Sequence, residues 1–170
     1  SPPVIFDWKD IASGDQFAEG ESTDAWGCHF SNIHKGIVGE VKEALVKDDD
    51  WSDVNAVHIP LEWLSVNVEK TNKELEKYSG RFTYIGCPRP FEQLQFIRKS
   101  ENFYIDLVER PAKMMEFMEK MHHFYCQYFE KLAQTNADAL YFMDDWGCQN
   151  SLLISPSVWR ELFRPMYRDY

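Results

Sequence analysis

Five apolar residues, Ala139-Leu-Tyr-Phe-Met143, run without interruption into two adjacent carboxylates, Asp144 and Asp145. A tight Trp146-Gly147 follows, then a polar loop, then Ser155-Pro156 at the start of an amphipathic stretch. An apolar run with no polar alternation reads as a parallel strand buried on both faces. No other segment narrows the fold as far. Carboxylates placed where such a strand ends lie at the carboxyl edge of the sheet, where α/β proteins put their chemistry. A single Asp there commonly starts a turn or caps a helix. Two in succession point to opposite faces if the strand persists, so at least one is expected to be functional. Leu140, Phe142 and Asp144 share one parity; Ala139, Tyr141, Met143 and Asp145 share the other. The sequence leaves open which set faces inward.

The elements upstream supply the rest of an alternating pattern. Residues 1–23 are polar and read as irregular, and 23–30 and 36–39 read as two short strands joined by a loop. Residues 41–60 read as loop, with Asp48-Asp49-Asp50 as solvated surface. Leu64, Val68, Leu75 and Tyr78 predict a helix over 62–79, stopped by Gly80. A β-rich strand at 81–86 ends at Cys87-Pro88-Arg89-Pro90. Two short helices are predicted at 91–99 and 101–109, and a long one over 111–135 opened by Pro111. Its stripe of Met114, Met115, Met118, Met121, Tyr125, Phe129 and Leu132 reads as core packing. His122 and His123 on this helix read as packed or surface histidines. The order helix, strand, helices, strand, helix implies right-handed βαβ units. The fold class expected is α/β, a partial (β/α)8 TIM barrel forming one domain over 1–170. Residues 1–60 would be an irregular lead-in and 61–170 the βα units. Two clear strands cannot close a barrel of eight, which needs about 250 residues, so the chain is expected to be a fragment. Its uncovered sheet edges would be completed by further chain, a partner or self-association.

A net charge of −10 and a pI near 4.9 argue against nucleic acid or an anionic membrane as partner. No apolar run approaches the roughly 18–20 residues that span a bilayer, and no signal peptide is visible. Four widely spaced cysteines suit reduced thiols in a cytoplasmic protein. No Cys-x-x-Cys, His-x-Cys or His-Glu-x-x-His pattern is present, and no glycine-rich nucleotide loop.

Several motifs together resemble the uroporphyrinogen decarboxylase superfamily, which includes cobalamin-dependent methyltransferases. They are Ala137-Asp-Ala-Leu-Tyr-Phe-Met-Asp-Asp-Trp-Gly-Cys-Gln149, Leu153-Ile-Ser-Pro-Ser-Val-Trp159 and Phe163-Arg-Pro-Met-Tyr-Arg168. Asp24-Ala-Trp-Gly27 looks like the Asp-Glu-Trp-Gly motif of the methyltransferase-like branch, with Ala25 in place of Glu. Gly86-Cys-Pro-Arg-Pro-Phe-Glu92 is similar to the segment that ends an early barrel strand. The resemblance spans 23–170 and implies a single-domain barrel of roughly twice this length. The arginine-rich N-terminal motif of the decarboxylases is not recognisable here. The His-x-Cys zinc motif of the methyltransferases belongs to a region beyond this chain.

The resemblance implies methyl transfer between a small donor or thiol and a corrinoid carried by a partner protein. No cofactor is expected within this stretch; zinc and the corrinoid would belong to the full-length protein. Asp144 or Asp145 would orient substrate or move a proton. The alternatives are cofactor-free decarboxylation of uroporphyrinogen, and a non-catalytic scaffold or docking domain. Parallel strands bring their carboxyl ends to one side, so Asp144, Asp145 and Trp146 are expected to line one cavity with Arg89 and Glu92. Asp24 and Trp26 are expected to join them, and Gln149 to add a neutral hydrogen-bonding group for a small-molecule substrate.

Overall fold

A hydroxyl–carboxylate clamp sets the register of the two segments that pair as parallel strands. The computed structural model describes residues 2–170. In it, β4 (Tyr84–Ile85) lies parallel to β5 (Ala139–Leu140), with Tyr84 opposite Ala139 and Ile85 opposite Leu140. Just before both strands, the backbone N–H and hydroxyl of Thr83 donate to Asp138 Oδ2 at 2.7 and 2.8 Å. These bonds hold the Asp138 carboxyl below its usual range. The ladder continues past the strands, with Tyr141 N–H donating to the Ile85 carbonyl at 3.0 Å and Met143 N–H to that of Pro88 at 3.1 Å.

The strands are shorter than the predicted 81–86 and 138–143, because Gly86 takes φ +77° and turns the chain. A Cβ there would meet Leu132 Cδ1 at 3.2 Å, besides adopting a conformation disfavoured for L-residues. Gly86→Ala is therefore expected to cost about 1–2 kcal/mol of stability. An unchanged denaturant midpoint would refute that expectation.

The chain divides into two compact units interleaved in sequence. The first comprises the N-terminal residues to Lys9, Leu61–Phe91 and His122–Tyr170. It contains α1 (Val68–Glu76), β4, β5, the second half of α4 (Ala112–Leu132) and a C-terminal helix in three parts. Those parts are α5 (Pro156–Val158), a π turn (Trp159–Phe163) and α6 (Arg164–Asp169). The predicted helix over 62–79 is split. A 3-10 turn occupies Leu61–Ser65, and α1 begins afresh where the Asn67 side chain accepts from Lys70 N–H at 2.9 Å. One face of the strand pair is covered by α4, with Phe129 and Phe142 rings 4.7 Å apart. On the outer face Tyr84 and Tyr141 are exposed, their rings 5.3 Å apart.

The second unit comprises Asp10–Pro60 and Glu92–Met121. Its sheet is antiparallel, in the order β1 (Gly20–Thr23), β2 (His29–Asn32), β3 (Glu40–Val41). The segment 23–30 is thus a hairpin rather than one strand: Asp24 closes a loop and Gly27 takes φ +91°. The second predicted strand, at 36–39, falls just before β3. Most of α2 (Pro90–Arg98), α3 (Ser100–Glu109) and the first half of α4 complete the unit. Lys99 at φ 65° and Arg110 at φ 54° break the helices apart. Phe30 packs edge-on to Phe96 at 5.1 Å, and Met114, Met118 and Met121 are buried, as the apolar stripe requires. A buried ion pair, Arg98 Nε to Asp106 Oδ2 at 2.8 Å, anchors the loop before it by donating also to the Val46 and Lys47 carbonyls.

Candidate functional site

The segment after β5 builds a cavity from its own residues. Asp144 is half-buried, and both its oxygens are engaged: Oδ1 accepts from the Phe91 N–H in the first turn of α2 at 3.1 Å, and Oδ2 from the Tyr167 hydroxyl. Asp145 is exposed, and its Oδ1 accepts from Gly147 N–H at 3.2 Å, which closes a tight turn. The two carboxylates thus occupy different environments. One ties a helix start to a tyrosine; the other faces water.

Trp146 turns inward from that bend. It stacks on Phe91 with centroids 4.0 Å apart and planes 14° from parallel. Three rings of the C-terminal helix meet it edge to face: Trp159 at 6.4 Å and 90°, Phe163 at 5.2 Å and 70°, Tyr167 at 5.4 Å and 75°. These three recur every four residues, so they project from one side of the helix. The polar loop between Trp146 and the helix doubles back, with Cys148 N–H donating to the Ser151 carbonyl at 2.8 Å and Leu153 N–H to that of Trp146 at 3.0 Å. Ser155 then caps the helix, its hydroxyl accepting from Val158 N–H at 3.3 Å, and Pro156 occupies the first turn.

The π turn has a local cause. Pro165 has no N–H to offer the Glu161 carbonyl, and Arg164 N–H bonds back to Trp159, five residues earlier. The widened turn carries Trp159 and Arg160 into the wall of a cavity of about 370 Å³. Trp146 and Tyr167 form other walls, and Leu152, Ile154 and Pro156 close the apolar side. Arg160 is the one charged group among the lining residues. Burial first, then the charge of Asp144 beside it, pushes the Tyr167 phenol far above its usual range, so it stays a neutral donor.

The expected site residues are placed as follows. Asp144, Asp145, Trp146 and Gln149 sit on this segment in the first unit, with Gln149 exposed in the loop. Trp146 lines the cavity while Asp144 supports it from behind through Tyr167. Arg89 is half-buried in the same unit, between Pro88 and Pro90 at the end of the β4 segment. Glu92, Asp24 and Trp26 belong to the second unit. There Asp24 is buried, accepting from Trp26 N–H at 3.0 Å, Cys28 N–H at 2.7 Å and Gln93 Nε2 at 2.8 Å. Burial outweighs those bonds and raises its pKa, and burial likewise pushes the neighbouring Cys28 thiol up.

Trp159, Arg160 and Tyr167 are not among the site residues expected from the sequence, although Trp159 and Tyr167 fall within the motifs that carry the resemblance. Their signal was present as a four-residue aromatic repeat following a Ser-Pro helix start. All four cysteines are unpaired. Cys126 Sγ lies 3.8 Å from both ring nitrogens of His122, whose Nε2 bonds Asp169 at 3.1 Å. Among the described residues, no group of three or more His, Cys, Asp or Glu side chains is placed to hold a metal ion. Nor is any helix among the described residues long and apolar enough to cross a membrane.

No protein-family model matches the chain, and no curated protein or solved structure matches it.

Proposed function

We propose that this chain is part of a TIM-barrel enzyme of the uroporphyrinogen decarboxylase superfamily. In this reading it moves a methyl group between a small substrate and a corrinoid held by a partner protein, and the cavity after β5 is the substrate pocket. The observation that carries it is the parallel β4–β5 pair, whose second strand leads directly into Asp144, Asp145 and Trp146 at its carboxyl end. A cavity of about 370 Å³ lined mainly by apolar side chains lies at the low end of the size range for small-molecule sites. A large polycarboxylate ring would need several cationic groups, and only Arg160 lines this cavity. That favours methyl transfer over decarboxylation of uroporphyrinogen.

The division of labour follows from the contacts. Trp146, Trp159 and Tyr167 bind and exclude water, while Arg160 offers a bidentate anion contact. Asp144 fixes the Tyr167 hydroxyl and the start of α2, holding one wall in place. Asp145, open to water, is positioned to exchange a proton with solvent. The test is incubation of the protein with methylcobalamin and a panel of small thiols, or with reduced cobalamin and small methyl donors, following the cobalamin spectrum. Protein-dependent change in that spectrum is expected. No change, with uroporphyrinogen losing carboxyl groups instead, would establish the decarboxylase reading in its place.

A further inference from the structure

In the wall of the cavity after β5, Trp146 meets two other rings at steep angles. Trp146 and Trp159 stand at 90° with centroids 6.4 Å apart, and Trp146 and Tyr167 at 75° with centroids 5.4 Å apart. A flat aromatic ligand sandwiched between faces needs two parallel rings about 7 Å apart, twice an ordinary stacking distance. Trp146 forms no such slot with either ring. Perpendicular rings instead form the corner of a box, in which a compact, roughly spherical group touches several π surfaces at once.

Electrostatics select the sign of that group. Aromatic faces carry negative potential and attract cations, most strongly for Trp. Tyr167 donates its hydroxyl proton to Asp144, which shifts electron density toward the ring and strengthens its face as a cation acceptor. The exposed carboxylate of Asp145 adjoins Trp146 in the chain, and the whole sequence carries a net charge of −10, so a cation is drawn to this surface. A bare cation would nevertheless meet one opposing feature, the guanidinium of Arg160 in the cavity wall. Both features are satisfied by a ligand that carries its own carboxylate a short distance from the cationic centre.

We propose that the cavity binds a small betaine, with its quaternary ammonium in the box formed by Trp146, Trp159 and Tyr167 and its carboxylate on Arg160. The inference rests on reading this cavity as the substrate pocket, and it names the substrate class that pocket takes. Such a molecule is small enough for about 370 Å³. In the proposed reaction one N-methyl would pass as CH3+ to the reduced cobalamin of the partner protein; the C–N bond would break with its electron pair left on nitrogen, and N,N-dimethylglycine would be released.

Binding tests this separately from turnover. Glycine betaine is titrated into the protein by calorimetry and by tryptophan fluorescence, alongside 3,3-dimethylbutyrate, which has the same shape and carboxylate but no positive charge. Benzoate and tetramethylammonium complete the set. Betaine is expected to bind about tenfold or more tightly than the uncharged isostere, the difference a desolvated cation–π contact supplies. Arg160→Gln, at an exposed position, should weaken betaine about tenfold and leave tetramethylammonium unchanged or improved. Equal binding of betaine and its isostere, no binding of betaine, or tighter binding of benzoate overturns the proposal. Methyl transfer from other donors without betaine binding would sink this inference and leave the proposed function standing. Betaine binding without any methyl transfer would do the reverse.

Discussion

Replacing Asp106 by alanine is expected to destabilise the unit around it by about 3–5 kcal/mol, the cost of leaving a buried charge without its partner. Arg98 and Asp106 are 2% and 3% exposed, so their 2.8 Å contact holds two opposite charges out of water. Burial works against the Arg98 charge, but the Asp106 and Asp49 carboxylates more than offset it and hold its pKa above the usual value. Asp49 cannot substitute for Asp106, because its side chain is 97% exposed and its field is screened. Asp106 also accepts from the indole N–H of the fully buried Trp51 at 2.8 Å. The alanine variant therefore strands two donors at once. Denaturant unfolding is the measurement. The double variant Arg98→Met, Asp106→Leu should recover the part of the loss that comes from the unpaired Arg98 charge, while the Trp51 indole N–H and the Val46 and Lys47 carbonyls still lose their partners. A single variant costing under about 1 kcal/mol would show that Arg98 finds water or another partner.

On the proposed function, Asp144→Asn is expected to lower turnover of the whole enzyme by roughly 10²–10⁴, the range of a group that moves or positions a reacting proton. The substitution is nearly isosteric and keeps one oxygen for the Phe91 N–H. It places an amide where Tyr167 now finds a carboxylate, so the hydroxyl loses the charge-assisted bond that orients it. Asp145→Asn keeps the oxygen that accepts from Gly147, so any loss there reports proton exchange rather than a collapsed turn. Steady-state methyl transfer with each variant, with circular dichroism as a control for folding, decides between them. Full activity in both would make the pair turn and capping residues only.

The parallel pairing of the segments around Ile85 and Leu140 was legible because an unbroken apolar run has few other stable settings. The long helix was legible from its Met and aromatic spacing, and its neighbours from Pro and apolar periodicity. Strand length was not, because Gly86 looks like any strand-end glycine until its positive φ and the approach of Leu132 are seen. The first antiparallel strand, Gly20–Thr23, has the sequence Gly-Glu-Ser-Thr and no apolar residue to mark it. It exists through pairing with residues 29–32, a non-local fact that periodicity cannot carry. The pair Asp144-Asp145 stood out in the sequence, but their division of labour did not. The Tyr167 contact joins residues 23 positions apart, and a helix widened by Pro165 sets which rings face Trp146.

The interleaving of the two units bears on how the chain is born. The second unit is complete once Met121 has been made, and its antiparallel sheet closes over short loops. The first unit must wait. Thr83 and the β4 strand beside it are synthesised 55 residues before Asp138 arrives to clamp them, so β4 spends that interval as an unpaired edge. At ordinary elongation speeds of about 5–20 residues per second, the gap lasts several seconds, long compared with the microseconds in which a hairpin forms. A chain truncated at residue 137 would therefore hold every residue of the second unit and leave β4 without the strand that pairs with it.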